Sequence, residues 1–372
     1  MKPIPCSTSA LLPLLVRLLL VLLPLCAIVQ AQDFTYTTNA DGITICRYTG
    51  PGGAATIPNR IGGLRVTSIG DRAFLQSTNL TALVVPASVT SIGDGAFWGC
   101  GSLARISLPS GVISIGGGAF HGCANLTGVT LPKSVTSIGF SAFSGCGSLT
   151  RIRIPNSMTS IPDHAFEHCT SLVSVTMPRG VLSIGNSAFN GCESLTRIEI
   201  PNHLTTIGDW AFQGCLNLAS VTMPAGVTSI GAGAFEGCLN LKSATIPDGV
   251  SAIADITFHA CTSLTSLSVP RNVTNIGVWA FCGCTSLTNV TIPASVTSIG
   301  ESAFAYCSSL ARVSFEGAAP GLGSEVFSYS DKLTIYYSPG TSGWGPTFAG
   351  RPTALDPKSP VLRQPRDRPP NR

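Results

Sequence analysis

His164-Ala165-Phe166-Glu167-His168 has the H-x-x-E-H spacing with which a helix can bring two imidazoles and a carboxylate to one zinc ion. Fourteen cysteines could be bridged as disulfides or could hold a metal as thiolates. Arg105, Arg151, Arg153 and Arg197, with Glu199 beside them, could grip carboxylates or sulfates through paired guanidinium hydrogen bonds. No G-x-S-x-G elbow, phosphate-binding loop or dinucleotide fingerprint occurs, and the five histidines are scattered. The elements that carry these side chains decide which of the three chemistries is available.

Those elements repeat. Phe74 opens a ladder of phenylalanines that recurs every 23 residues to Phe327. Prolines from Pro86 to Pro293 and cysteines from Cys100 to Cys307 keep the same step. Three ladders in one register mark about twelve copies of one unit. In residues 126–149 the spacing of Leu126, Val129 and Leu131 predicts a short strand with alternate side chains inward. Pro132, which has no N–H, ends it. Val135 and Ile138 form a second extended piece, closed by Gly139. Ala142, Phe143 and Cys146 suit one helical or 3₁₀ turn, with Asp94, Asp163, Asn186 and Asp209 in other units placed as N-caps. No unit can bury its own apolar face, so the units must stack, and the end units must be capped.

The units, such as residues 88–109 (SVTSIGDGAFWGCGSLARISLP), resemble the BspA-like leucine-rich repeats, with their V-T-S-I-G and A-F-x-x-C-x-x-L-x-x-I-x-I-P pattern. The resemblance covers about residues 60–340 and implies a curved, right-handed leucine-rich-repeat solenoid. Short parallel strands would line its concave face, with second strands and helical or 3₁₀ turns on the convex side. It also implies a secreted or cell-surface protein, since some members act as adhesins. Pro162 and Ala254, in place of the usual Gly, and Thr257, in place of Ala, are expected to distort single turns.

Against this frame most of the tempting chemistry recedes. Phe166 is a ladder phenylalanine, and His164 and His168 fall at variable surface positions on an element too short for a zinc-binding helix. Stacked ladder cysteines run parallel, with Cβ atoms farther apart than a disulfide allows. They read as reduced, small apolar filler and offer no tetrahedral metal site. Cys46 and Cys282 lie off the ladder, Cys282 being the better candidate for an exposed thiol. Four N-x-[ST] sequons carry no weight in a chain so rich in Ser and Thr. Trp98, Trp210 and Trp279 fall on the turn side, as half-buried packing or a second contact surface.

The outward strand positions are free to vary. One column runs Ala82, Arg105, Gly128, Arg151, Ser174, Arg197 and on through Ser220, Ser243 and Ser266 to Arg312. The next carries Arg153 and Glu199 among Ser and Thr. The arginines thus gather in the N-terminal half, opposite a stripe of hydroxyls in the C-terminal half.

Residues 1–31 read as a signal peptide cleaved after Ala31, with a membrane span as the competing reading. Residues 32–65 form an N-terminal cap, 66–340 the solenoid, 341–352 a C-terminal cap and 353–372 a disordered Pro/Arg-rich tail. From Arg351 onward the net charge is +4, equal to that of the whole chain, so the basic balance belongs to the tail and does not point to nucleic acid. The expectation is an exported recognition or adhesion module, not an enzyme. It has no cofactor and no membrane span in the mature chain, and binds a protein or acidic polysaccharide at Arg105, Arg151, Arg153, Arg197 and Glu199. The alternative is a structural envelope or matrix component without a discrete ligand.

Overall fold

The computed structural model describes residues 29–31 and 33–357. The signal-peptide reading falls outside the described residues except for Val29–Ala31, which pairs antiparallel with Phe34, Thr35 and Tyr36.

Each unit makes one coil of a parallel β-solenoid. First strands pair with the same positions one unit on, as Arg151 does with Ser174 and Arg153 with Thr176. The middle residue of each, Ile152 or Val175, is buried, while its neighbours face out. Second strands form another parallel ladder, for example Ser183–Ile184 against Thr206–Ile207. The first ladder narrows to one-residue bridges at Arg105–Gly128 and Arg197–Ser220 and is interrupted between Gly128 and Arg151 and between Ser174 and Arg197.

The convex segment departs from expectation: among the described residues it contains no helix. The residues two before and two after every ladder Phe have positive φ. His164 (55°) and His168 (54°) flank Phe166, and Ile256 (61°) and Ala260 (57°) flank Phe258. A left-handed residue at every fourth position is incompatible with a right-handed helix. Instead, Trp210, Phe212 and Gly214 donate their N–H groups to Ala232, Ala234 and Glu236 of the next unit, each at 2.8 Å. Between them, Gln213 and Cys215 close tight turns onto Trp210 and Phe212. The turn is therefore a third ladder. The Asp and Asn expected to cap their own turns serve the next coil instead. Asp163 Oδ1 accepts from the N–H of Asn186 (2.7 Å), Asn186 Oδ1 from Asp209 (2.9 Å) and Asp209 Oδ1 from Ala232 (2.8 Å).

Close passage explains the glycine that precedes this Asx position. A Cβ on Gly208 would lie 2.7 Å from the backbone N of Asn186. In most units the same glycine donates to an isoleucine of the previous coil, as Gly208 does to Ile184 at 2.8 Å. Pro162 has no N–H to give, and Ala254 makes no such bond among the described residues. The second-strand ladder breaks at these two junctions, between Ile138 and Ser160 and between Ile230 and Ala252. The expected distortion thus falls on the strands, while the left-handed turn residues His164 and Ile256 are kept. The buried Thr257 satisfies its hydroxyl by donating to the Ala254 carbonyl at 2.7 Å.

Inside, the twelve ladder phenylalanines are fully buried. Their rings stack from Phe74 to Phe327 with centroids 4.9 to 5.7 Å apart. The cysteines beside them are free and are more than filler. Each ladder thiol donates to the carbonyl of the ladder Phe one unit back, as Cys215 does to Phe189 at 3.3 Å. Ser330, standing in the cysteine column, makes the same bond to Phe304 at 3.0 Å. Cys282, the better candidate for an exposed thiol, is buried, and Cys46 is half-buried.

At the ends, the hairpin Phe34–Asn39/Gly42–Tyr48 leads into Leu64–Ile69, and Gly53–Thr56 pairs with Leu80–Val84, so both strand ladders begin before residue 66. At the other end residues 353–355, grouped with the tail by composition, belong to the strand Arg351–Leu355. That strand pairs in parallel with the Thr334–Tyr337 strand and antiparallel with Thr347–Phe348. Residues 358–372 lie outside the described residues.

Two outcomes follow. Phe189→Ala opens a void in the stack and costs about 3–5 kcal/mol in a urea titration followed by circular dichroism. Burial pushes Cys100 up to about 11 and Cys169, Cys238 and Cys307 up to about 12, from an ordinary 9.0. The raised native value means that stability is complete below pH 9.0 and is lost as pH rises, because unfolded thiols ionise first. The loss is at most about 1.4 kcal/mol per thiol per pH unit. An unfolding midpoint that does not fall between neutral and alkaline buffer, or thiols that react with Ellman's reagent before unfolding, would contradict the buried ladder.

Candidate binding face

Strand alternation leaves two outward columns on the first-strand face. Arg105, Arg151, Arg153, Arg197 and Glu199 are all exposed there. Register pairs Arg105 with Gly128, Arg151 with Ser174 and Arg197 with Ser220. These three arginines therefore share one column at every second rung, about 10 Å apart. Arg153 and Glu199 share the other.

The five are not equivalent. Arg197 Nη2 donates to Glu199 two residues on, and both side chains are largely exposed. An exposed pair of this kind adds little stability, but it removes Arg197 as an unpaired cation. Arg105, Arg151 and Arg153 have no ion-pair partner among the described residues. The C-terminal half of the face presents hydroxyls at Ser220, Thr222, Ser243, Thr245, Ser266 and Ser268.

Where that stripe ends, the structure adds a group that sequence reasoning passed over. Arg312 Nη2 donates to Asp356 Oδ1 at 2.6 Å, its Nε donates to Ser314 Oγ at 2.9 Å, and its guanidinium carbon lies 3.7 Å from the centre of the Tyr336 ring. Glu316 in place of the ladder proline was the available signal. It reads in sequence as decay of the repeat.

The turn edge carries the remaining motif. His164 Nδ1 is 3.1 Å from Glu167 Oε2, while His164 and His168 sit at the two left-handed positions of one turn. They lack the helical frame that the H-x-x-E-H spacing requires. Among the described residues no three His, Cys, Asp or Glu side chains are grouped to hold a metal. Trp98, Trp210 and Trp279 are exposed rather than half-buried, and Trp98 packs on His121 with ring centres 4.0 Å apart. His121 Nδ1 is buried with no hydrogen-bond partner among the described residues, and burial lowers the pKa of that imidazole.

The fold places this chain among known proteins. A family profile described as a BspA type leucine rich repeat region matches residues 61–172, 136–264 and 228–342. The chain belongs to the BspA-type leucine-rich repeat family. This BspA-type chain is similar to a leucine-rich cell surface protein of Faecalibacterium prausnitzii, with 31% identity, a TM-score of 0.50, and 78% of this chain and 95% of that one covered. It is also similar to a leucine-rich repeat protein of Bacteroides ovatus, with 26% identity, a TM-score of 0.56 and coverage of 84% and 94%. The pneumococcal vaccine antigen PcpA, at 18% identity and a TM-score of 0.57 over 89% of this chain and 99% of that one, shares the fold. No curated protein matches the chain. No helix among the described residues is long and apolar enough to cross a membrane.

Glu199→Gln is expected to leave the unfolding midpoint of this BspA-type array unchanged to within about 0.5 kcal/mol and to release Arg197. Retention on a sulfated-glycan column then rises, and unchanged retention would show that Arg197 takes no part in the charge of the face.

Proposed function

We propose that this BspA-type protein is an exported recognition and adhesion module that binds an acidic polysaccharide, or a protein surface rich in carboxylates, through its first-strand face. One observation carries the reading: Arg105, Arg151 and Arg153 are exposed at equivalent outward positions of stacked coils and have no ion-pair partner among the described residues. A guanidinium held at fixed spacing loses little freedom on binding an anion and can do so through two parallel hydrogen bonds. Leucine-rich-repeat solenoids present such extended faces to partners. Export is supported by the charged start, apolar run and small-residue exit within residues 1–31, and by similarity to a protein described as a cell surface protein.

The chain from Gln32 onward, and a variant carrying Arg105→Glu, Arg151→Glu and Arg153→Glu, would be titrated with heparin and with polyglutamate. Saturable binding that weakens with added salt and drops by at least about tenfold in the variant is expected. Equal binding by both proteins would remove the site. Binding by neither, from folded protein, would favour a structural envelope component without a ligand.

A further inference from the structure

The C-terminal end of the first-strand face holds a solvent-open depression of about 660 Å³, within the roughly 300–1,000 Å³ typical of small-ligand sites. Its floor is made by two rungs, Asn289–Ile292 and Arg312–Phe315, and Asp356, just past the capping strand, stands at its side. The pocket exists because that strand adds to the ladder, with the Asp356 N–H donating to the Tyr337 carbonyl at 2.9 Å.

Its polar groups have distinct states. Arg312 is held from three sides by Asp356, Ser314 and the Tyr336 ring, so its orientation is set before any ligand arrives. None of these contacts uses Nη1. Glu316, where preceding units carry Pro270 and Pro293, is exposed and has no ion-pair partner among the described residues. Asn289 donates to Thr288 Oγ1 at 3.1 Å and keeps its amide oxygen as an acceptor. Thr291 adds a hydroxyl to the lining.

Charge narrows what such a pocket takes. The Arg312 charge is answered by Asp356, which leaves Glu316 as the carboxylate of the lining without an ion-pair partner among the described residues. A sulfate or carboxylate ligand is repelled by Glu316, and an ammonium, which has no acceptor, leaves the Arg312 Nη1 donors unanswered. An uncharged molecule that both donates and accepts hydrogen bonds meets no repulsion and satisfies donor and acceptor together. Neighbouring hydroxyls of a sugar do this.

We propose that this pocket binds a neutral saccharide unit, with adjacent hydroxyls accepting from Arg312 Nη1 and donating to Glu316. The site lies seven units from Arg151 and differs in charge, so it is a second site on the face. It does not depend on the polyanion reading.

The chain from Gln32 onward would be titrated with maltohexaose, cellohexaose, laminarihexaose and chitohexaose by calorimetry and saturation-transfer NMR. Expected is saturable binding of at least one, weakened about tenfold by Glu316→Ala through loss of a hydrogen bond to a charged group. Asn289→Trp, which fills the pocket from an exposed position, abolishes it. Both variants keep the wild-type unfolding midpoint. The triple arginine-to-glutamate variant binds these sugars as wild type does, which separates this site from the anion-binding face. Saturable binding of none of the four, or binding indifferent to both Glu316→Ala and Asn289→Trp, would overturn the proposal. So would binding lost in the triple variant and kept in these two.

Discussion

Backbone N–H groups of one coil find acceptors on its neighbours, in two strand ladders and a turn ladder, and that shared spacing governs what every side chain can do. Phenylalanines brought one coil apart have ring centres 4.9 to 5.7 Å apart, so they stack. Thiols reach the carbonyl of the preceding phenylalanine but run parallel to one another. Glycine is required where the next chain passes too close for a Cβ. Where Pro162 or Ala254 replaces it, the second-strand ladder opens while the turn ladder carries on. Redundant ladders let the array absorb a local fault without losing its register.

The period, both strand columns and the buried face were legible from the phenylalanine, proline and cysteine ladders, because alternation along a strand leaves no choice of side once the core residues are known. The turn was not. The spacing from Ala142 to Phe143 to Cys146 fits one helical turn as well as two tight turns joined end to end, and only lateral hydrogen bonding tells them apart. Glycine at the second left-handed position in most units was a hint. The first such position hides the requirement, because Arg72, His164 and Trp210 occupy it. The aspartates suffered the same ambiguity, since an N-cap and an acceptor for the neighbouring coil look alike in sequence.

At the candidate site the arginine column could be read, but its electrostatics could not. Arg197 is answered by Glu199 two residues on, which separates it from Arg105, Arg151 and Arg153. The Arg312–Asp356 contact joins residues 44 apart. Its acidic partner lay in a stretch whose proline and arginine content resembles an unfolded tail, and strand pairing, a long-range property, overrode that composition.

The turn ladder hands its hydrogen bonds in one direction, each coil to its successor, and it runs through the interior junctions, including those where the second-strand ladder opens. A gene encoding such an array can lose or gain a whole unit without creating an unfamiliar joint. Each such event moves the arginine cluster and the Arg312 pocket relative to one another by a single rung, about 4.8 Å. The separation between the two ends of the face, now seven rungs or about 34 Å, is therefore a discrete quantity that recombination can adjust step by step, with the chemistry at either end left intact.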